Sequence, residues 1–105
     1  MAIGTYQNTT TSAETIYTST NDTAITHLAI CNTSASAVTI DLNVVPNGGT
    51  VADTNLMLSS LSIAANDTYV LYSGGEKMLL GNGDFISITS SAGNVLTSII
   101  SYTSI

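Results

Sequence analysis

His27 and Cys31 are the only histidine and the only cysteine of this chain, and both lie in "THLAICNTSASAVTIDLNVV". A Cys–His pair can work as nucleophile and base when the two side chains are in hydrogen-bond contact. Four residues apart on a helix, they would meet. On a strand, at roughly 3.3 Å per residue, they share a face but stand about 13 Å apart. The segment alternates as a strand does: Leu28 and Ile30 fall on one face, expected to be shared with Ala24 and Thr26, and His27 and Cys31 on the other. The two are read as passengers of that strand. A zinc site needs three or four ligands, and no further His or Cys exists to complete one.

The carboxylates are Glu14, Asp22, Asp41, Asp53, Asp67, Glu76 and Asp84. Glycosidase chemistry would need two of them facing across about 5–10 Å. Asp22, Asp53, Asp67 and Asp84 instead stand beside Asn, Thr, Ala or Gly, where Asp bonds nearby backbone N–H groups in turns. No calcium-loop spacing is present. The Gly-rich "SGGE" and "GNGD" lack the following helix and Lys-Ser/Thr of a phosphate cradle, and no G-x-S-x-G elbow occurs. Asn8, Asn21, Asn32 and Asn66 match the glycosylation pattern, which a chain this rich in Asn, Ser and Thr produces by composition. Tyr6, Tyr17, Tyr69, Tyr72 and Tyr102 are the candidates for a sugar-stacking row, although sandwich tyrosines are commonly half-buried. No catalytic, cofactor-binding or metal-ligating residue is therefore assigned, no cofactor is expected, and the chain is read as no enzyme.

The elements around these residues are strands almost throughout. In "AVTIDLNVV", Val38, Ile40, Leu42 and Val44 point one way and Thr39, Asp41 and Asn43 the other. With "TAITHLAICN" before it and "TSASA" between, the pair reads as a hairpin. "PNGGT" marks a turn, and further strands are expected near Ile16–Thr18, Leu56–Ile63, Thr68–Tyr72, Met78–Leu80, Phe85–Ser90 and Val95–Thr103. "SAGN" reads as the turn of a final hairpin. The expected core rows include Leu28, Ile30, Val38, Ile40, Leu42, Val44, Ile86 and Ile88. About seven or eight antiparallel strands in a single domain of 105 residues suit an immunoglobulin-like or jelly-roll-type β-sandwich.

Composition narrows the partners. Charged residues are 8%, against about 25% in ordinary globular chains, and Ser and Thr fill about three positions in ten. The net charge is −6, with Lys77 the only basic residue. Gripping nucleic acid needs clustered Lys or Arg, so direct binding is excluded, and anionic membranes are disfavoured for the same reason. No apolar run reaches the roughly 20 residues that span a bilayer. The opening "MAIGTYQNTTT" lacks the basic and apolar regions of a secretory signal, so synthesis in a cytoplasm is expected. A surface so poor in charge fits either a subunit packed in a large assembly or a small acidic soluble domain.

Two longer stretches, "ETIYTSTNDTAITHLAICNTSASAVTIDLNVV" and "LSIAANDTYVLYSGGEKMLLGNGDFISITSSAGNVLTSIISYTSI", add a resemblance. Their opening strand, apolar-small-small-polar bend, "LGNGD" turn and closing pair of strands resemble small virion structural proteins of tailed bacteriophages, notably those infecting cyanobacteria. The resemblance covers residues 14–105 and implies a β-sandwich acting as a capsid decoration (cement) protein. The alternatives are a neck or tail protein, or a carbohydrate-binding module on the virion surface. It implies localisation in the virion, contact with the major capsid protein or other virion proteins, and a homo-oligomer, with a trimer suiting a capsid three-fold position. It carries over no catalytic residue. Residues 1–13 lie outside it and are expected to be an arm reaching a neighbouring subunit, or an edge segment.

Overall fold

A computed structural model describes residues 2–71 and 78–105. Among them, nine strands follow one another: β1 (Ala2–Gln7), β2 (Glu14–Thr18), β3 (Thr23–Asn32), β4 (Val38–Val45), β5 (Leu56–Ile63), β6 (Thr68–Leu71), β7 (Met78–Leu80), β8 (Phe85–Ser90) and β9 (Leu96–Ser104). Tyr72, Glu76 and Lys77, and with them the "SGGE" turn, lie outside the described residues.

The strands form two antiparallel sheets packed as a sandwich. The first has the order β1-β9-β3-β6, with β7 also pairing to β3; the second has the order β2-β8-β4-β5. Ala2 faces Tyr102, Glu14 faces Ile88, Leu28 faces Leu71 and Val38 faces Ile63. The chain therefore doubles back on itself around Thr50, and the long antiparallel ribbon so formed is rolled across two sheets. That is the jelly-roll connectivity, and it replaces the immunoglobulin alternative.

The core lies between the sheets. Ile25, Leu28, Ile30, Leu96 and Ile100 of the first sheet pack against Ile40, Leu42, Ile86 and Ile88 of the second. Each such burial is worth about 1.5–3 kcal/mol. All the expected core residues are buried except Val44, which packs against the core while half exposed at its margin. Its neighbours Asn43 and Val45 are buried on the outer face because the segment after β4 folds back there. Asn43 Nδ2 donates to Ala52 O (2.9 Å) and Asn55 Oδ1 (2.8 Å).

Two other expectations are corrected. Thr26 does not share the face of Leu28 and Ile30. It is the extra residue of a bulge, for Ile25 faces Tyr102 and His27 faces Ser101. The bulge shifts the strand's phase and sends Ile25 into the core in its place.

β3 and β4 are not a hairpin, nor are β8 and β9: each pair is split between the two sheets. Buried asparagines build these crossings. Asn32 Nδ2 donates to Ser36 O (2.8 Å), Ile63 O (3.0 Å) and Ala64 O (3.2 Å), while its Oδ1 accepts from Ser34 N (3.0 Å). Asn8 Oδ1 accepts from Val95 N (3.1 Å) and Leu96 N (2.9 Å), and its Nδ2 donates to Ala92 O (2.8 Å). Local polar bonds inside the connection turn the chain to the opposite sheet, where a tight hairpin would keep it in the same one. Of the two alternatives for the N-terminal segment, residues 2–7 take the edge one: they form an edge strand of the first sheet, paired with β9 over six residues.

Candidate functional site

His27 and Cys31 both lie on the outer face of β3, half-buried, opposite Ser101 and Thr97 of β9. The strand holds them apart as the spacing predicts. The carboxylates are similarly scattered. Asp67 Oδ1 accepts from Thr68 N (2.8 Å), and Asp84 accepts from Gly81 N (2.7 Å) and Asn47 N (2.8 Å). Asp53 opens a single 3-10 turn, and Asp22 sits in the loop between β2 and β3. Among the described residues, no three His, Cys, Asp or Glu gather closely enough to hold a metal ion.

Glu14 is the carboxylate with the most unusual surroundings, and its type and position gave no hint of them. It accepts hydrogen bonds from Tyr6 Oη (2.8 Å), Thr10 N (2.9 Å) and Thr9 N (3.0 Å), and from both threonine hydroxyls. Burial pushes its pKa up, but the bonds from Thr10, Tyr6 and Thr9 outweigh that and bring it down to about 2. The same bond, with some desolvation and the negative charge of Glu14, raises the Tyr6 hydroxyl above its ordinary range. Tyr6 donates from β1 of the first sheet and Thr9 and Thr10 from the segment joining β1 to β2, so the cluster is a clasp between the two sheets.

An open groove of about 190 Å³ lies on the outer face of the second sheet, lined by Thr39, Ile40, Asp41, Ser60, Thr89, Ser90 and Ser91. Its one carboxylate, Asp41, already accepts from Ser60 N at 2.7 Å. Tyr6, Tyr17, Tyr69 and Tyr102 pack against the core, with the Tyr17 and Tyr102 rings 4.7 Å apart and tilted by 44°. They form no outward stacking row. Asn8 and Asn32, two of the four glycosylation matches, are buried with their amides engaged.

What the structure does bring together is a set of exposed apolar side chains among uncharged polar ones. The outer face of the first sheet presents Ile3 (70% exposed), Leu79 (68%), Val70 (44%) and Ile99 (40%) around the half-buried Ala29 and Cys31. Among the described residues, no strand of this sheet contains Asp, Glu, Lys or Arg. Strand period alone could have shown this face, since Ile99 alternates with the core residue Ile100; the pairing that lines up Val70, Ala29 and Ile99 could not be read from it. Comparison with protein-family models, with curated proteins and with solved structures gives no match.

Proposed function

We propose that this chain is a structural subunit of a virus particle, a decoration protein seated on the assembled shell of a tailed bacteriophage. The observation that carries this reading is the outer face of the first sheet, whose described strands hold no Asp, Glu, Lys or Arg and which exposes Ile3, Leu79, Val70 and Ile99. An exposed surface that presents several large apolar side chains, here set among Thr5, Thr97 and Ser101, is a place where another macromolecule can pack. Jelly rolls serve in viral capsid domains, as well as in lectins and cupins, so the fold is compatible with the reading without requiring it. Binding the assembled shell in preference to free coat subunits would stabilise the particle by mass action.

Imaging and quantitative proteomics of intact particles test the proposal. Many copies spread over the shell are expected. About six or twelve copies at one vertex would make it a neck or tail component instead, and absence from purified particles would end the virion reading.

A further inference from the structure

The free edge of the first sheet is β1, and its backbone phase can be fixed. Asn8 N donates to Leu96 O at 3.1 Å, continuing the register in which Gln7 faces Thr97 and Tyr6 faces Ser98. In an antiparallel ladder, residues that exchange bonds with the partner strand alternate with residues that do not. Ala2, Gly4 and Tyr6 therefore turn their N–H and C=O groups toward β9. Ile3, Thr5 and Gln7 turn theirs away, to the side where no described strand pairs. The other side of β9 agrees: Thr33 N donates to Val95 O at 2.7 Å, so odd-numbered residues there point to β3.

We propose that two copies of this chain pair through β1, antiparallel, about a two-fold axis at Thr5. In that register Thr5 faces Thr5, and Ile3 of each copy faces Gln7 of the other. All three outward N–H groups and all three outward C=O groups of each strand find partners. Between them, Gly4 of one copy lies opposite Tyr6 of the other, and the glycine leaves room beside the ring. The contact joins the two five-stranded sheets into one continuous sheet.

Three features select a second copy as the occupant. The outward groups are self-complementary under a two-fold rotation. β1 bears no charge, and the nearest described carboxylate, Glu14, is bound at the Gln7 end by Thr9 and Thr10. Antiparallel pairing puts the two Glu14 carboxylates at opposite ends of the contact, so like charges stay apart. Both edges of the second sheet are guarded in a way that blocks pairing. Both β2 and β5 are broken by register shifts.

The inference deepens the assembly reading, yet its test uses the purified full chain, so either can fail alone. With Cys31→Ser as background, Thr5→Cys should oxidise to a disulfide-linked dimer. Facing residues of a bonded pair stand about 5.5 Å apart between Cα atoms, within disulfide reach. Ile3→Cys should not cross-link, because its own counterpart lies about 13 Å further along the strand pair. In sedimentation, the unaltered chain should be a dimer at about 100 µM, a concentration at which a micromolar pair is saturated. Thr5→Pro removes an outward-facing donor that β9 does not use, so it should yield a folded monomer. A monomer or a trimer of the unaltered chain, equal cross-linking of the two cysteine variants, or a Thr5→Pro variant that is still dimeric would each overturn the proposal.

Discussion

Among the described residues, no strand of the first sheet contains Asp, Glu, Lys or Arg, and the edge strand β1 runs for six residues without a bulge. In the second sheet Glu14 and Asp41 sit on strands, and both edges, β2 and β5, are interrupted. On β5 the interruption is built in detail. Asp41 of β4 stands opposite two residues, Ser59 and Ser60; Ser60 adopts φ 51° and donates its N–H to the Asp41 carboxylate. One core thus serves two outer surfaces with opposite treatment. The second sheet is protected against pairing, and the first is left open to it. An unguarded edge is a liability in a monomer, so its presence beside guarded ones points to a surface meant to be covered.

The comparison is broken most severely on the inner faces, where the two sheets should behave alike. Ile40→Asp and Ile100→Asp each bury an unpaired carboxylate and should abolish folding, a loss above about 4 kcal/mol. Thr39→Asp and Ile99→Asp, one residue away on the outer faces, should leave the monomer folded by circular dichroism and denaturant midpoint. A comparable loss for Ile99→Asp and Ile100→Asp would reverse the assignment of faces in the first sheet.

The corners come next. Asn32→Ala and Asn8→Ala leave buried backbone groups without partners, at about 1–3 kcal/mol for each group orphaned. Urea midpoints should fall for both, since each asparagine holds a crossing between the sheets.

A smaller loss, about 1–2 kcal/mol from left-handed backbone alone, is expected for Gly48→Ala, where φ is +83° and the space around an added Cβ is open. Gly83→Ala should cost more by thermal denaturation. Its φ is +86°, and a Cβ there would sit 2.5 Å from Asn47 Cγ. Equal losses would mean that Asn47 moves aside freely.

The smallest effect belongs to the clasp between the sheets. The folded-state pKa of Glu14 is lowered to about 2 from the ordinary 4.5. A lowered carboxylate pKa stabilises the fold fully above its unfolded value and loses that contribution as pH falls toward the folded value. Glu14→Gln should therefore flatten the stability profile between about pH 4.5 and 2, and equally steep profiles for the two proteins would rule the clasp out.

Much of the strand pattern was legible because period two is written directly in residues such as Val38 to Leu42 and Phe85 to Ser90. The way the strands are joined was not. A buried corner asparagine and an exposed turn asparagine have the same letter, so Asn8 and Asn32 passed as ordinary turn or glycosylation residues, and two crossings between sheets passed as hairpins. The bulge at Thr26 was invisible for a related reason: one extra residue leaves an alternating sequence alternating, and only pairing with β9 reveals the change of phase. The candidate surface was hidden more deeply. Its members come from β1, β3, β6, β7 and β9, and nothing local in "AIGTYQ" says that it lies at an edge or which of its backbone groups face outward.

Amide hydrogen exchange along β1, followed residue by residue by NMR in dilute and in concentrated protein, tests the open edge most directly. The phase derived from Asn8 and Leu96 predicts fast exchange for Thr5 and Gln7 and slow exchange for Gly4 and Tyr6 in dilute solution. On concentration, Thr5 and Gln7 should become protected while Gly4 and Tyr6 change little. Equal protection of Thr5 and Tyr6 in dilute protein, or no slowing at Thr5 on concentration, would contradict the account.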